Sequence, residues 1–186
     1  MNSNPILIVS GEPNSVFLEL FFKVFNNNKI KNPIILISSK KLLDLQMKKL
    51  GFKNKIRLID VSKLKFYKIN NKTINLIDVK YNPDKAFEKI SNKSNMFIKN
   101  SFELAFKIIK KYKIIRFING PISKKYFLRK EFLGITEFIS EKFFTKNTCM
   151  LIYNKKLSVC PITTHLPLKL VSKKISKKDI IKKISL

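Results

Sequence analysis

Pro33-Ile34-Ile35-Leu36-Ile37-Ser38-Ser39 decides how this chain folds. Four consecutive apolar residues, opened by a proline and closed by two serines, read as a strand buried on both faces, as in a parallel sheet. Ser39 has the side chain of a helix N-cap, and the helix it opens is predicted to end at Gly51. Upstream, Ile6-Leu7-Ile8-Val9 is a run of the same kind. Gly11-Glu12-Pro13-Asn14-Ser15 turns the chain out of it, and Ser15 is expected to cap a helix running to about Phe25. Val16, Leu20 and Val24, spaced i, i+4, i+8, are expected to face the sheet. Downstream, Ile56-Arg57-Leu58-Ile59 is a third strand. This β-α-β-α-β rhythm predicts a parallel sheet with right-handed crossovers.

Farther along, Ile74-Asn75-Leu76-Ile77 reads as a strand after an Asn70-Asn71 turn. Asn82 to Asn95 reads as a polar loop with one helical turn near Ala86. Asn100 is placed as the N-cap of a helix to Tyr112, whose Phe102, Ala105, Phe106 and Ile109 recur at helical spacing as core residues. Ile114 to Ile118 is the next strand, broken by Asn119-Gly120-Pro121. A helix follows Gly134 with Thr136 as its N-cap. Thr148 to Tyr153 and Leu157 to Thr163 are expected to form an antiparallel hairpin about Asn154-Lys155-Lys156. The final helix, from Ser176, carries Ile180, Ile181 and Ile184 on one face, which suggests dimer contacts or a missing continuation.

Composition narrows the function classes. The chain has 186 residues, 45% of them apolar, enough for a real core. No run approaches the roughly 18 apolar residues of a membrane span, and Met1 to Pro5 lacks the features of a signal peptide. A formal charge of +27 invites a nucleic-acid reading. However, only three of the 39 basic residues are arginines (Arg57, Arg116, Arg129), the side chain that reads bases and clamps phosphates. Lys, Ile, Asn and Phe make up more than half of the chain, and all four have A/T-rich codons. A solvated lysine surface with weak, salt-sensitive attraction to polyanions follows, with no specific nucleic-acid partner.

Two cysteines, Cys149 and Cys160, are too few for a disulfide framework. They read as reduced thiols, brought roughly opposite each other by the hairpin, in a reducing cytoplasm. The four glycines form neither G-x-G-x-x-G nor a Walker loop. His165 is the single histidine. It follows an apolar run and precedes Pro167 by two residues, where α/β proteins place reactive side chains just past a strand. It can serve as a metal ligand or proton carrier, or simply as a hydrogen-bonded packing residue.

Four segments together resemble one enzyme family, the 4-hydroxythreonine-4-phosphate dehydrogenases of vitamin B6 biosynthesis. Ser10-Gly11-Glu12-Pro13 is similar to the family's first strand-to-loop motif. Asn119-Gly120-Pro121-Ile122-Ser123-Lys124 resembles its Thr-Gly/Ala-Pro-x-x-Lys loop. Leu133 to Phe138 resembles its Gly-His-Thr-Glu segment, and Thr163-Thr164-His165-Leu166-Pro167-Leu168 its Thr-Thr-His-Leu-Pro-Leu. Four motifs in order are more specific than any one alone, and they span the chain while covering only the amino-terminal part of the family's length.

The resemblance implies a three-layer α/β fold of the isocitrate-dehydrogenase-like type, with a mostly parallel sheet plus the hairpin. It also implies an N-terminal α/β subdomain over residues 1–120 and the start of a second subdomain over 121–186. By resemblance the protein is a cytoplasmic, homodimeric, NAD-dependent dehydrogenase that oxidises a phosphorylated hydroxy amino acid, whose product then loses CO₂. A divalent metal (zinc, magnesium or cobalt) would sit on the substrate oxygens. Thr136 would contact substrate, and His165 would be one of three metal-binding histidines. Glu12, Glu137 and Lys124 are further polar residues expected near the cleft. Ile135 stands where the family has a substrate-contacting histidine, Asn14 to Leu18 replace a glycine-rich continuation, and the other two metal histidines fall outside this chain. Three rival readings follow: a sister dehydrogenase of another phosphorylated hydroxy acid, a non-catalytic assembly protein that keeps the fold, and a nucleic-acid binder.

Overall fold

A computed structural model describes residues 5–27, 30–128, 131–143, 148–164 and 166–186. The chain divides into two compact units, Met1–Arg129 and Lys130–Leu186, so the turn after Gly120 stays with the first.

The first unit is built on five parallel strands among the described residues: β1 (Ile6–Val9), β2 (Ile34–Ser38), β3 (Ile56–Leu58), β4 (Ile74–Asp78) and β5 (Arg116–Asn119). Their order across the sheet is β3-β4-β2-β1-β5. Ile6 pairs with both Ile34 and Arg116, and Ile35 pairs with Asn75. The crossovers carry α1 (Phe17–Asn26), α2 (Lys40–Leu50) and α3 (Asn95–Tyr112).

Strand alternation sorts the core into two faces. Ile8, Ile34, Leu36, Ile74 and Leu76 form one apolar cluster with Leu18, Phe21, Phe22 and Phe25 of α1 and Leu42, Leu43 and Met47 of α2. Phe117, in register with Leu7, points to the other face, where the rings of Phe102 and Phe106 on α3 meet it edge-on at about 6 Å. Helices therefore cover both sides, giving the three layers expected. The β2 reading holds in full: all five of its residues are buried, Ser39 Oγ accepts the Leu42 N–H, and Gly51 closes α2 at φ +77°.

Three local expectations are corrected. In α1 the buried face is Leu18, Phe21, Phe22 and Phe25, whereas Val16, Leu20 and Val24 are more than half exposed. Both sides of that helix are apolar, and the side with three phenylalanines removes more area from water. Ser15 sits just ahead of the cap position at Val16, yet its hydroxyl still accepts the Phe17 N–H at 3.3 Å. Helix α3 begins at Asn95 rather than after Asn100, because Phe97 and Ile98 extend its buried stripe by a turn.

The second unit holds α4 (Ile135–Lys142), α5 (Leu168–Lys174) and α6 (Lys177–Ile184). Among its described residues only Phe138 is buried, its ring edge-on to Phe132 at 5.4 Å. The expected two-stranded hairpin is reduced to a single antiparallel bridge, Ile152 with Val159. Almost every residue there is exposed, so no second layer shields further ladder bonds from water. Ser176 caps α6 through the Asp179 N–H, and Ile181 and Ile184 stand out in solvent.

Candidate functional site

The carboxyl ends of parallel strands are where doubly wound sheets bind ligands, at the point where successive crossovers leave in opposite directions. Here that point lies between β1 and β5, the two strands followed by the first pair of motif segments. The two loops are stacked directly on each other. Gly120 N–H donates to Val9 O at 2.7 Å, and Glu12 N–H donates to Pro121 O at 2.8 Å. Gly11 holds φ +69°, and a Cβ on it would run into the Pro121 and Gly120 carbonyls. A Cβ on Gly120 would run into Ser10 O and the Phe17 ring. Both glycines are thus used for backbone-to-backbone packing.

Polar groups gather around this junction. Glu12 is 3% exposed. Its Oε1 accepts from the Asn14 N–H (3.2 Å) and side-chain amide (3.4 Å), and its Oε2 accepts from Ser94 Oγ at 3.0 Å. This carboxylate ties the β1 loop to the start of α3, and with both oxygens engaged it is a clamp rather than a free base. Asn14 Oδ1 takes the Glu88 N–H at 2.8 Å, and Gln46 Nε2, fully buried, donates to both Pro13 O and Ala86 O. The expected helical turn near Ala86 is replaced by bends held through these bonds.

Tyr81 belongs to the same cluster, stacked on Phe97 with ring centroids 4.9 Å apart. Burial, followed by the negative charges of Glu88 and Glu12, pushes its phenol above the usual value of 10.0. Among the described residues, the hydroxyls of Ser10 and Ser38, at the carboxyl ends of β1 and β2, are buried without a hydrogen-bond partner, as is the side-chain oxygen of Asn95. Sequence reasoning missed Asn14, Gln46, Tyr81 and Ser94, because single polar residues in an aperiodic loop carry no spacing signal.

The sequence-predicted residues fare differently. Lys124 opens a π-helical turn, Lys124–Leu128, and is exposed. Thr136 is half-buried in the first turn of α4; the cap position is Gly134, in extended conformation, so Thr136 is not the N-cap. Glu137 shares that first turn, its carboxylate 3.0 Å from where a Gly134 Cβ would stand, which suits the positive end of the helix. Thr163 is half-buried and Thr164 exposed. The metal expectation at His165 lies outside the described residues. Among the described residues no group of three or more His, Cys, Asp or Glu could hold a metal ion. An open groove of about 580 Å³, lined by Phe25, Ile30, Ile34, Asn54 and Asn71, is at the opposite end of the sheet from these strand carboxyl ends. No helix among the described residues is long and apolar enough to cross a membrane.

Comparison with known proteins fits this picture. The family model described as pyridoxal phosphate biosynthetic protein PdxA matches residues 29–186. A 4-hydroxythreonine-4-phosphate dehydrogenase of Sulfurihydrogenibium sp. (strain YO3AOP1) is 30% identical over 188 aligned residues, covering 97% of this chain and 56% of the relative. One of Aquifex aeolicus (strain VF5) is 39% identical over 69 residues, 36% of this chain and 21% of the relative. The crystal structure of the enzyme from Burkholderia phymatum superposes with a TM-score of 0.84 at 22% identity, over 98% of this chain and 56% of that one. That from Klebsiella pneumoniae gives 0.83 at 19%, over 98% and 57%. The fold is shared, and the chain spans about half the length of the relative it matches end to end.

Proposed function

We propose a function from the premise that this chain belongs to the PdxA family of pyridoxal phosphate biosynthetic proteins. It serves as a 4-hydroxythreonine-4-phosphate dehydrogenase of vitamin B6 biosynthesis, with NAD as hydride acceptor and a divalent metal on the substrate oxygens, working as a cytoplasmic homodimer. The observation that carries this reading is the ordered run of four motif segments, three of them inside the matched residues 29–186.

The residues present do not by themselves fit either group. A catalytic zinc needs three protein ligands, and one copy of this chain offers a single imidazole. For NAD, the two glycines at the sheet switch point are packed against each other. No chemical step is therefore routed through metal or cofactor. What the chain supplies is narrower. The hydroxyl of Thr136, at the start of α4, can donate to or accept from a polar substrate group, and Ile135 beside it offers only an apolar wall. His165 would contribute one of the ligands such a metal needs.

The test is an assay of the full chain with NAD, each of zinc, magnesium and cobalt, and 4-hydroxythreonine 4-phosphate. NADH formation that needs metal and disappears in His165→Ala supports the proposal. Turnover of phosphothreonate in preference would move the assignment to a sister dehydrogenase. An inert protein that takes up no metal would favour a second reading, a non-catalytic assembly protein that keeps the fold. The exposed Ile181 and Ile184 of α6 favour that one.

A further inference from the structure

The two thiols of the chain lie together. Cys149 Sγ and Cys160 Sγ are 2.7 Å apart, although eleven positions separate them in sequence. Both are free cysteines and both are partly exposed. Local structure holds them there. The arms that carry them are joined by Ile152 N–H to Val159 O at 2.8 Å and Val159 N–H to Ile152 O at 2.9 Å. Asn154 folds the tip, its Oδ1 accepting the Lys156 N–H at 2.9 Å and its carbonyl the Ser158 hydroxyl at 3.3 Å. Lys183 Nζ donates to Thr148 O, next to Cys149, which places an ammonium beside the pair.

We propose that Cys149 and Cys160 form a reversible intramolecular disulfide by exchange with low-molecular-weight disulfides, a modification site that clips together the two arms leading into Thr163-Thr164. The geometry asks little, since an S–S bond of about 2.05 Å lies a small side-chain rotation away. The hydrogen bond with Cys149, then burial and the Cys149 charge, keep the Cys160 thiol above its usual 9.0, with Lys183 opposing. Whichever sulfur ionises first attacks, and the other resolves. That thiolate attacks one sulfur of the external disulfide and expels one thiolate, leaving a mixed disulfide. The other cysteine then loses its proton, and its sulfur attacks the protein sulfur of the mixed disulfide and displaces the second thiolate. Two protein thiols become one S–S bond while the external disulfide is reduced to two thiols, so electrons and protons balance. Reversibility suits a reducing compartment, where disulfides are transient and report redox state.

The test does not depend on turnover, so it stands or falls apart from the enzymatic reading. The full chain is equilibrated in glutathione buffers of graded ratio, quenched in acid and weighed intact, once native and once in denaturant. A species lighter by two hydrogens, with an equilibrium constant at least about tenfold larger in the native chain than in the denatured one, supports the proposal. Trypsin cuts at Lys155 and Lys156, between the cysteines, and the two fragments should stay linked until a reductant is added. Cys149→Ser and Cys160→Ser should each carry a single glutathione instead. Equal constants in the two states, two glutathiones per wild-type chain, or disulfide-linked dimers as the main product would each overturn it.

Discussion

The hydroxyl of Ser39 donates to the carbonyl of Tyr81 at 2.9 Å while its oxygen accepts the Leu42 N–H at 3.3 Å. One buried side chain thus closes the start of α2 and anchors the loop after β4. Ser39→Ala should destabilise the chain by about 1–2 kcal/mol, the cost of a lost cap, with more than that if the Tyr81 carbonyl stays dry. Urea unfolding of the variant measures it, and an unchanged midpoint would show that the loop finds another anchor.

Glycine substitutions should separate crowding from backbone strain. Gly120→Ala drives a methyl into Ser10 O and the Phe17 ring, and should cost about 3 kcal/mol. Gly51→Ala meets open space, so only its positive φ opposes the change, at about 1 kcal/mol. Reversal of that order in denaturant melts would contradict the stacking of the β1 and β5 loops.

The Glu12 clamp predicts coupling between distant positions. Glu12→Ala and Ser94→Ala should each lose at least about 1–2 kcal/mol. The double variant should lose less than the sum, because both remove the same 3.0 Å bond. Strict additivity would mean that this bond contributes nothing.

Tyr81 sets an alkaline limit. Its phenol is raised in the folded state, so the folded protein binds the proton more tightly than the unfolded chain. That contribution is complete below pH 10.0, the ordinary phenol value, and is lost as pH rises through the folded one. Stability should therefore fall more steeply above pH 10.0 in the wild type than in Tyr81→Phe. Parallel slopes in unfolding curves across that range would exclude the effect.

The surplus of lysine should act only as a diffuse field. Fluorescence titration with duplexes of unrelated sequence should give equal affinities that vanish at moderate salt. Sequence preference surviving that salt would restore a specific nucleic-acid role.

Strands and caps that announce themselves by period and by turn residues were legible in advance. Ile34 to Ser38, Ser39 and Gly51 appear where periodicity and capping rules put them. Helix α1 was legible in extent but not in orientation, since Leu20 and Phe21 look equally apolar until the sheet selects the larger side chains. The hairpin reading overshot because Leu151, Ile152 and Leu157 have strand character yet stay exposed, and burial is what sustains a ladder. At the candidate site, Gly11 and Gly120 were visible as motif residues, but their mutual contact was not. Glu12 is a clamp for the same reason: its partner Ser94 is eighty-two positions away, beyond any local pattern.

Strand β1 lies between β2 and β5, and Ile6 finds its partner Arg116 more than a hundred residues later in the chain. On the ribosome that interval lasts about 5–20 seconds at ordinary elongation speeds. Throughout it, one hydrogen-bonding edge of Leu7, Ile8 and Val9 is without its native neighbour. A nascent chain this apolar at its centre would then have to be shielded by chaperones, or by its own positive charge repelling other copies, until the last strand emerges.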